Sequence, residues 1–230
     1  MFVGHYGVAL GLKRAEPKVS LGTLFIAVQL VDLLWGAFLI LGWEHVRILP
    51  DENPLLKLQF YDYPISHSLA GAVGWGLAAA VCYYSWPTRD TTRHWQASAL
   101  VGLAVASHWF LDLIVHIPDL PLAGNDSPKF GLGLWHHVGL SVALELAVLT
   151  AGLVIYARGA SRRHPIRPVR IGCVLAVLLA TYAASLLGPA PASTLAIGAG
   201  DVGFMLGITA LAAWADRAAT TAESAAHPLR

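Results

Sequence analysis

His108, Asp112 and His116 recur every fourth residue in a stretch that is otherwise Trp, Phe, Leu, Ile and Val. On a helix, residues four apart share a face, so the three form one polar stripe on an apolar segment. Each ionisable group at membrane depth costs about 2.5–3.5 kcal/mol on insertion scales. Three in a row therefore call for compensation by a partner, a water-filled cavity or a metal ion. The rest of the chain offers His5, Asp32, Glu44, His67, His136 and Glu145 as further groups.

Imidazole and carboxylate ligands together suit zinc, with manganese and iron as alternatives. His108 and Asp112 could bind one ion, or two held side by side. Asp32 and His67 would complete the shell, with His5 as a further nitrogen. A divalent ion lowers the pKa of water, polarises a phosphoryl or carbonyl oxygen, and offsets buried carboxylate charge. His116, Asp119, His136 and Glu145 are candidates for supporting or general-base roles, with His116 and Glu145 first. Each residue also has a plainer reading. His108 and Asp112 could hydrogen-bond each other, His67 could mark a helix start beside Ser66 and Ser68, and Asp201 could be an ordinary interfacial residue.

Positioning these groups falls to apolar helices. Of 230 residues, 56% are hydrophobic and 13% charged, with a mean hydropathy of +0.60. Soluble domains carry about 25% charged residues. The chain reads as all-α, a polytopic membrane bundle forming one domain over 1–217, with a disordered tail at 218–230 and the site within 1–150. About six spans are expected, at 21–41, 65–86, 95–117, 134–157, 170–188 and 194–215. Ser20 is a candidate N-cap for the first. The net charge of +1 gives no reason to expect a nucleic-acid partner. Cys82 and Cys173 read as small buried hydrophobes.

Connecting segments alternate in charge. The turn at 13–20 and the loops at 87–94 and 158–169 are the basic ones, and the positive-inside rule puts these and the C-terminus in the cytoplasm. At 1.5 Å per residue, Asp32, His67, His108 and Asp112 then fall in the outer half of the bilayer, within about 15 Å of the interface. Residues 2–12 are too short to cross. If they form a re-entrant or interfacial helix against the first span, His5 meets Asp32 at the same depth.

Gly4-His5, Leu30-Val31-Asp32, Ser66-His67-Ser68-Leu69 and Ser107-His108 followed by Asp112 occur in this order across residues 4–122. In this the chain resembles the YdjM-like family of bacterial inner-membrane proteins, described as membrane-bound metal-dependent hydrolases. The resemblance implies His5, Asp32, His67, His108 and Asp112 as metal-site residues and a bacterial inner-membrane location. The His-x-x-x-Asp element is also similar to one in zinc-dependent phospholipase C and the S1/P1 nucleases, which implies phosphoester hydrolysis. The chain departs from the family where Leu33, Leu34 and Trp35 follow Asp32, in place of a further acidic residue.

The leading expectation is a membrane-embedded hydrolase acting on a lipid phosphoester first and an amide or ester lipid second, with membrane lipid as its surroundings and source of substrate. A transporter or proton path would need a polar route to the cytoplasmic face, and the inner halves of these spans are almost wholly apolar. A structural membrane protein with a degenerate site is the third reading, and haem ligation, which fits the adjacent carboxylates poorly, the fourth.

Overall fold

The computed structural model describes residues 1–49, 53–86, 94–159 and 166–217. The chain is mostly helical. Four helices are long and apolar enough to cross a membrane: α6 (His94–Val115), α7 (Val138–Arg158), α8 (Pro168–Leu187) and α9 (Thr194–Asp216). A fifth crossing is made if α2 (Leu21–Val28) and α3 (Leu30–Leu41) count as one bent span. The expected 65–86 span is divided between the single turn α4 (Pro64–His67) and the 17-residue α5 (Leu69–Ser85). Ser68, in extended conformation, separates the two and caps α5 by accepting from the Gly71 N–H. The tail at 218–230 lies outside the described residues.

The first span is also broken. Gln29 leaves helical geometry and α2 and α3 meet at 57°. Ser20 caps α2 through the Thr23 N–H, as its position suggests. The break puts Asp32 in the first turn of α3, where exposed N–H groups and the helix dipole favour a carboxylate.

Residues before this span form α1 (Val3–Ala15), a buried helix inside the bundle. It packs mainly on α7 and also on α2 and α6. Lys13, in its last turn, ties its far end down. Nζ donates to the Pro17 and Val19 carbonyls, both at 2.9 Å, and to Asp216 Oδ2 at 2.7 Å, which also accepts from the Leu21 N–H. Lys13→Met leaves these acceptors short of a charged donor. It is expected to destabilise the fold by about 1.5–3 kcal/mol, the usual worth of a hydrogen bond to a charged group. Thermal unfolding in detergent checks this, and Asp216→Asn added to it should cost less than it does alone.

Two short hairpins were not visible in the sequence. β1 (His45–Ile48) pairs antiparallel with β2 (Leu58–Asp62), with Val46 opposite Phe60 and Ile48 opposite Leu58. β3 (Leu120–Pro121) pairs with β4 (Lys129–Phe130). Residues following β4 cap the end of α6: the N–H of Leu132 bonds the Leu113 carbonyl and that of Gly133 the His116 carbonyl. Gly133 turns there at φ +73°, a conformation costly for a residue with a Cβ.

Cys82 and Cys173 are exposed rather than buried. Among apolar helices, hydrophobicity marks a lipid-compatible surface as readily as a core, so it does not report burial.

Candidate metal centre

Four elements converge on one buried cluster. α6 brings His108 and Asp112, with His116 just past its last turn; α3 brings Asp32, α4 brings His67 and α1 brings His5. His5, His67, His108, Asp112 and His116 are all buried. Ligand atoms of His5, Asp32 and His108 lie within 4.8 Å of one another, and so do those of His67, His108 and Asp112. His5 stacks on His108 with ring centroids 3.9 Å apart and planes 5° from parallel. The expected meeting of His5 with the first span occurs, and its closest carboxylate contact is Asp112 Oδ1, at 3.1 Å.

Three of the imidazoles are held from behind. His108 Nδ1 donates to the Val28 carbonyl at 2.8 Å. That carbonyl belongs to the broken turn at Gln29, so the kink in the first span supplies the acceptor that orients His108. His67 Nδ1 lies 2.8 Å from Ser66 Oγ, which itself donates to Glu44 Oε2 at 2.5 Å; the hydroxyl proton being so used, His67 donates to Ser66. Glu44 also accepts from the Ser66 N–H at 2.8 Å. It is buried, and burial pushes its carboxyl above the ordinary glutamate range against these hydrogen bonds. His116 Nδ1 donates to Asp119 Oδ1 at 2.9 Å, an oxygen that also accepts from the Tyr63 hydroxyl.

With Nδ1 as the donor in each ring, Nε2 is the front of all three. His108 Nε2 stands 3.1 Å from Asp112 Oδ2 and 3.4 Å from Asp32 Oδ1, without the alignment of a hydrogen bond to either. His67 Nε2 is 3.0 Å from Asp32 Oδ1, in hydrogen-bond alignment, and 3.9 Å from Asp112 Oδ2, and His116 Nε2 is 3.6 Å from Asp112 Oδ2. In a neutral imidazole that donates from Nδ1, Nε2 carries a lone pair. Lone pairs facing carboxylate oxygens at these distances repel unless a proton or a metal ion lies between them. The Met1 amino group also contacts Asp112 Oδ1.

Glu145 is engaged differently. Its Oε1 accepts from the Phe2 N–H and its Oε2 from the Gly4 N–H, both at 2.7 Å. It thus serves the unpaired donors at the start of α1 and fastens that helix, with His5 on it, to α7. His136, on a 3-10 turn at Leu134–His136, is exposed and not in the cluster. Asp201, on α9, shares a cavity with Asp32, a proximity set by the close approach of Gly36 and Gly198. In the sequence, Ser66 is marked by its place beside His67, and Glu44 only as a carboxylate just after an apolar run.

The donor set suits a divalent ion of the zinc type. It provides imidazole nitrogens and carboxylate oxygens, tethers that fix which nitrogen faces forward, and a surplus of negative charge at the centre. Comparison with protein-family models, curated proteins and solved structures found no match to this chain.

Proposed function

We propose that the chain is a membrane-embedded, metal-dependent hydrolase of a phosphoester or other lipid-like substrate. In this reading α5 is a sixth, short crossing and the centre sits in the outer half of a bacterial inner membrane, with the C-terminus cytoplasmic. One observation carries the proposal: three Nδ1-tethered imidazoles turn Nε2 towards Asp112, and two of them, His67 and His108, also towards Asp32. The ordered resemblance to the YdjM-like motifs, on the same residues, is consistent with it.

Asp32, His67, His108 and Asp112 would hold the ion, zinc first and manganese or iron as alternatives, with His5 adjoining. His108 belongs to both ligand groups, and its one Nε2 lone pair serves a single ion. When bound, such an ion polarises a phosphoryl or acyl oxygen and acidifies water. His116 is placed to move a proton at Nε2, since Asp119 and Tyr63 hold its ring from the other side. Glu145, the other expected base, has both oxygens on backbone N–H groups, and the role proposed for it is to hold α1.

Along α1, between His5 and Lys13, and along α2, the buried side chains include Tyr6, Leu10, Leu24 and Phe25. That apolar layer favours a hydrolase over a transport path. Elemental analysis of the purified protein tests the proposal, with hydrolysis of bis(p-nitrophenyl) phosphate and of short-chain esters assayed beside it. Near-stoichiometric zinc or manganese and chelator-sensitive turnover are expected. Protein that stays metal-free after incubation with metals overturns the reading.

The tether behind His67 gives a second expectation. Glu44→Gln and Ser66→Ala should each weaken zinc binding about 10–100-fold, the usual effect of losing a group that orients a metal-binding imidazole. Ser66→Thr, which keeps the hydroxyl, should restore most of it. Competition with a chromophoric chelator measures all three variants.

A further inference from the structure

We propose that the cavity beside the centre binds an amphiphile with one anionic head and one apolar chain, the head lying between the His–Asp cluster and Lys57. The inference rests on the reading above for the centre and adds the substrate class.

The cavity is about 440 Å³, within the usual range for small-molecule sites. Its polar side is formed by Asp32, His67, Asp112 and His116. Pro54 and Leu55, with Leu58 at the start of β2, roof it. That roof is pinned at both ends. Asn53 Nδ2 donates to the Trp135 carbonyl at 2.9 Å, and Lys57 Nζ donates to the carbonyls of Gly188 at 2.7 Å and Ser185 at 3.2 Å. The far wall is mostly apolar, with Phe2, Tyr182, Ile197 and Met205, and the carboxyl groups of Glu145 and Asp201 also line the cavity. Phe2 stacks on Tyr182 there, at 5.8 Å between centroids.

Lys57 is the only lysine or arginine among the described residues that line the cavity. An ammonium has three protons. Two go to the carbonyls ending α8, which leaves one for a ligand. A cation at one end, a cluster that draws in divalent charge beside it and apolar walls beyond are complementary to an anionic head and a hydrocarbon chain. α8 leans on α9 and α1 and hardly touches α7, so the chain's way in is from the bilayer between α7 and α8.

The test uses the full chain in lipid nanodiscs, loaded with zinc. The probes are dodecyl phosphate, dodecanol and inorganic phosphate, with empty nanodiscs as control. Saturable binding of dodecyl phosphate is expected, with dodecanol and inorganic phosphate each weaker by roughly tenfold or more. Lys57→Met should weaken dodecyl phosphate roughly tenfold. Gly200 lines the cavity, and a Cβ added there meets nothing within 4 Å. Gly200→Leu should therefore fill the chain site and block binding while the fold is kept. Equal binding of dodecanol and dodecyl phosphate, or wild-type affinity in Lys57→Met, overturns the head assignment. Inorganic phosphate binding as tightly as dodecyl phosphate, or Gly200→Leu binding like wild type, overturns the chain site. Metal content is read on the same samples. Metal without amphiphile binding defeats this inference alone, and amphiphile binding without metal defeats the hydrolase reading alone.

Discussion

Gly152→Ala is expected to unseat α1 and, with it, to empty the centre of His5. A Cβ built on Gly152 would lie 1.9 Å from the Gly7 carbonyl oxygen and 2.7 Å from Gly7 Cα. A Cβ on Gly7 would lie 2.4 Å from the Val148 carbonyl oxygen. These are backbone atoms of two packed helices, so no rotamer change relieves the clash and the helices must part. Close backbone approach at small residues is a main source of helix association in apolar surroundings. Overpacking in a filled core usually costs about 1–3 kcal/mol, and a clash with backbone belongs at or above the upper end. Separating α1 from α7 also pulls the Phe2 and Gly4 N–H groups off Glu145. Gly207→Ala is the control, since a Cβ on Gly207 meets nothing within 4 Å. On propensity alone a Gly→Ala change in a helix is favourable by about 0.8–1 kcal/mol, so Gly207→Ala should be neutral or mildly stabilising. Thermal unfolding separates the two. If Gly152→Ala matches Gly207→Ala, the close α1–α7 contact is not what holds the helix in place.

The contrast shows what the sequence could and could not say. The four long helices lie close to their expected places because each is a run of apolar residues long enough to be recognised without a partner. The cluster residues were legible for the opposite reason, as costly groups where apolar ones were due. What stayed hidden depends on tertiary partners. The bend at Gln29 has no Pro or Gly to announce it, and its freed Val28 carbonyl is satisfied by His108, 80 residues away. The β1–β2 hairpin consists of four- and five-residue strands carrying Arg47 and Asp62, too short for a period of two to stand out. Glu145 looked like a base because a carboxylate in a span suggests chemistry. Only the fold reveals that α1 begins against it and that its first N–H groups need an acceptor.

Asp112→Ala and His108→Ala are expected to abolish divalent-metal binding, and the stability cost of Asp112→Ala should depend on whether metal is present. Asp112 lies within 3.1–3.9 Å of Nε2 on His5, His67, His108 and His116, so removing it takes a carboxylate from every ring at once. His108 is the nitrogen common to both ligand groups. A ligand bound only by the folded state adds about 2.7 kcal/mol of stability at a hundred times its dissociation constant. Zinc should therefore raise the unfolding midpoint of the wild type, and a chelator should reverse the gain. Neither treatment should move Asp112→Ala or His108→Ala. Without metal the comparison changes. A membrane-buried carboxylate costs about 2.5–3.5 kcal/mol on insertion scales, so Asp112→Ala should lose much less against the chelated wild type than against the zinc-loaded one. If Asp112 instead serves only to tie α1 to α6 through His5, the variant should be equally destabilised with and without zinc. A metal-dependent difference places Asp112 at the centre of a binding site, whereas a constant one makes it a packing device.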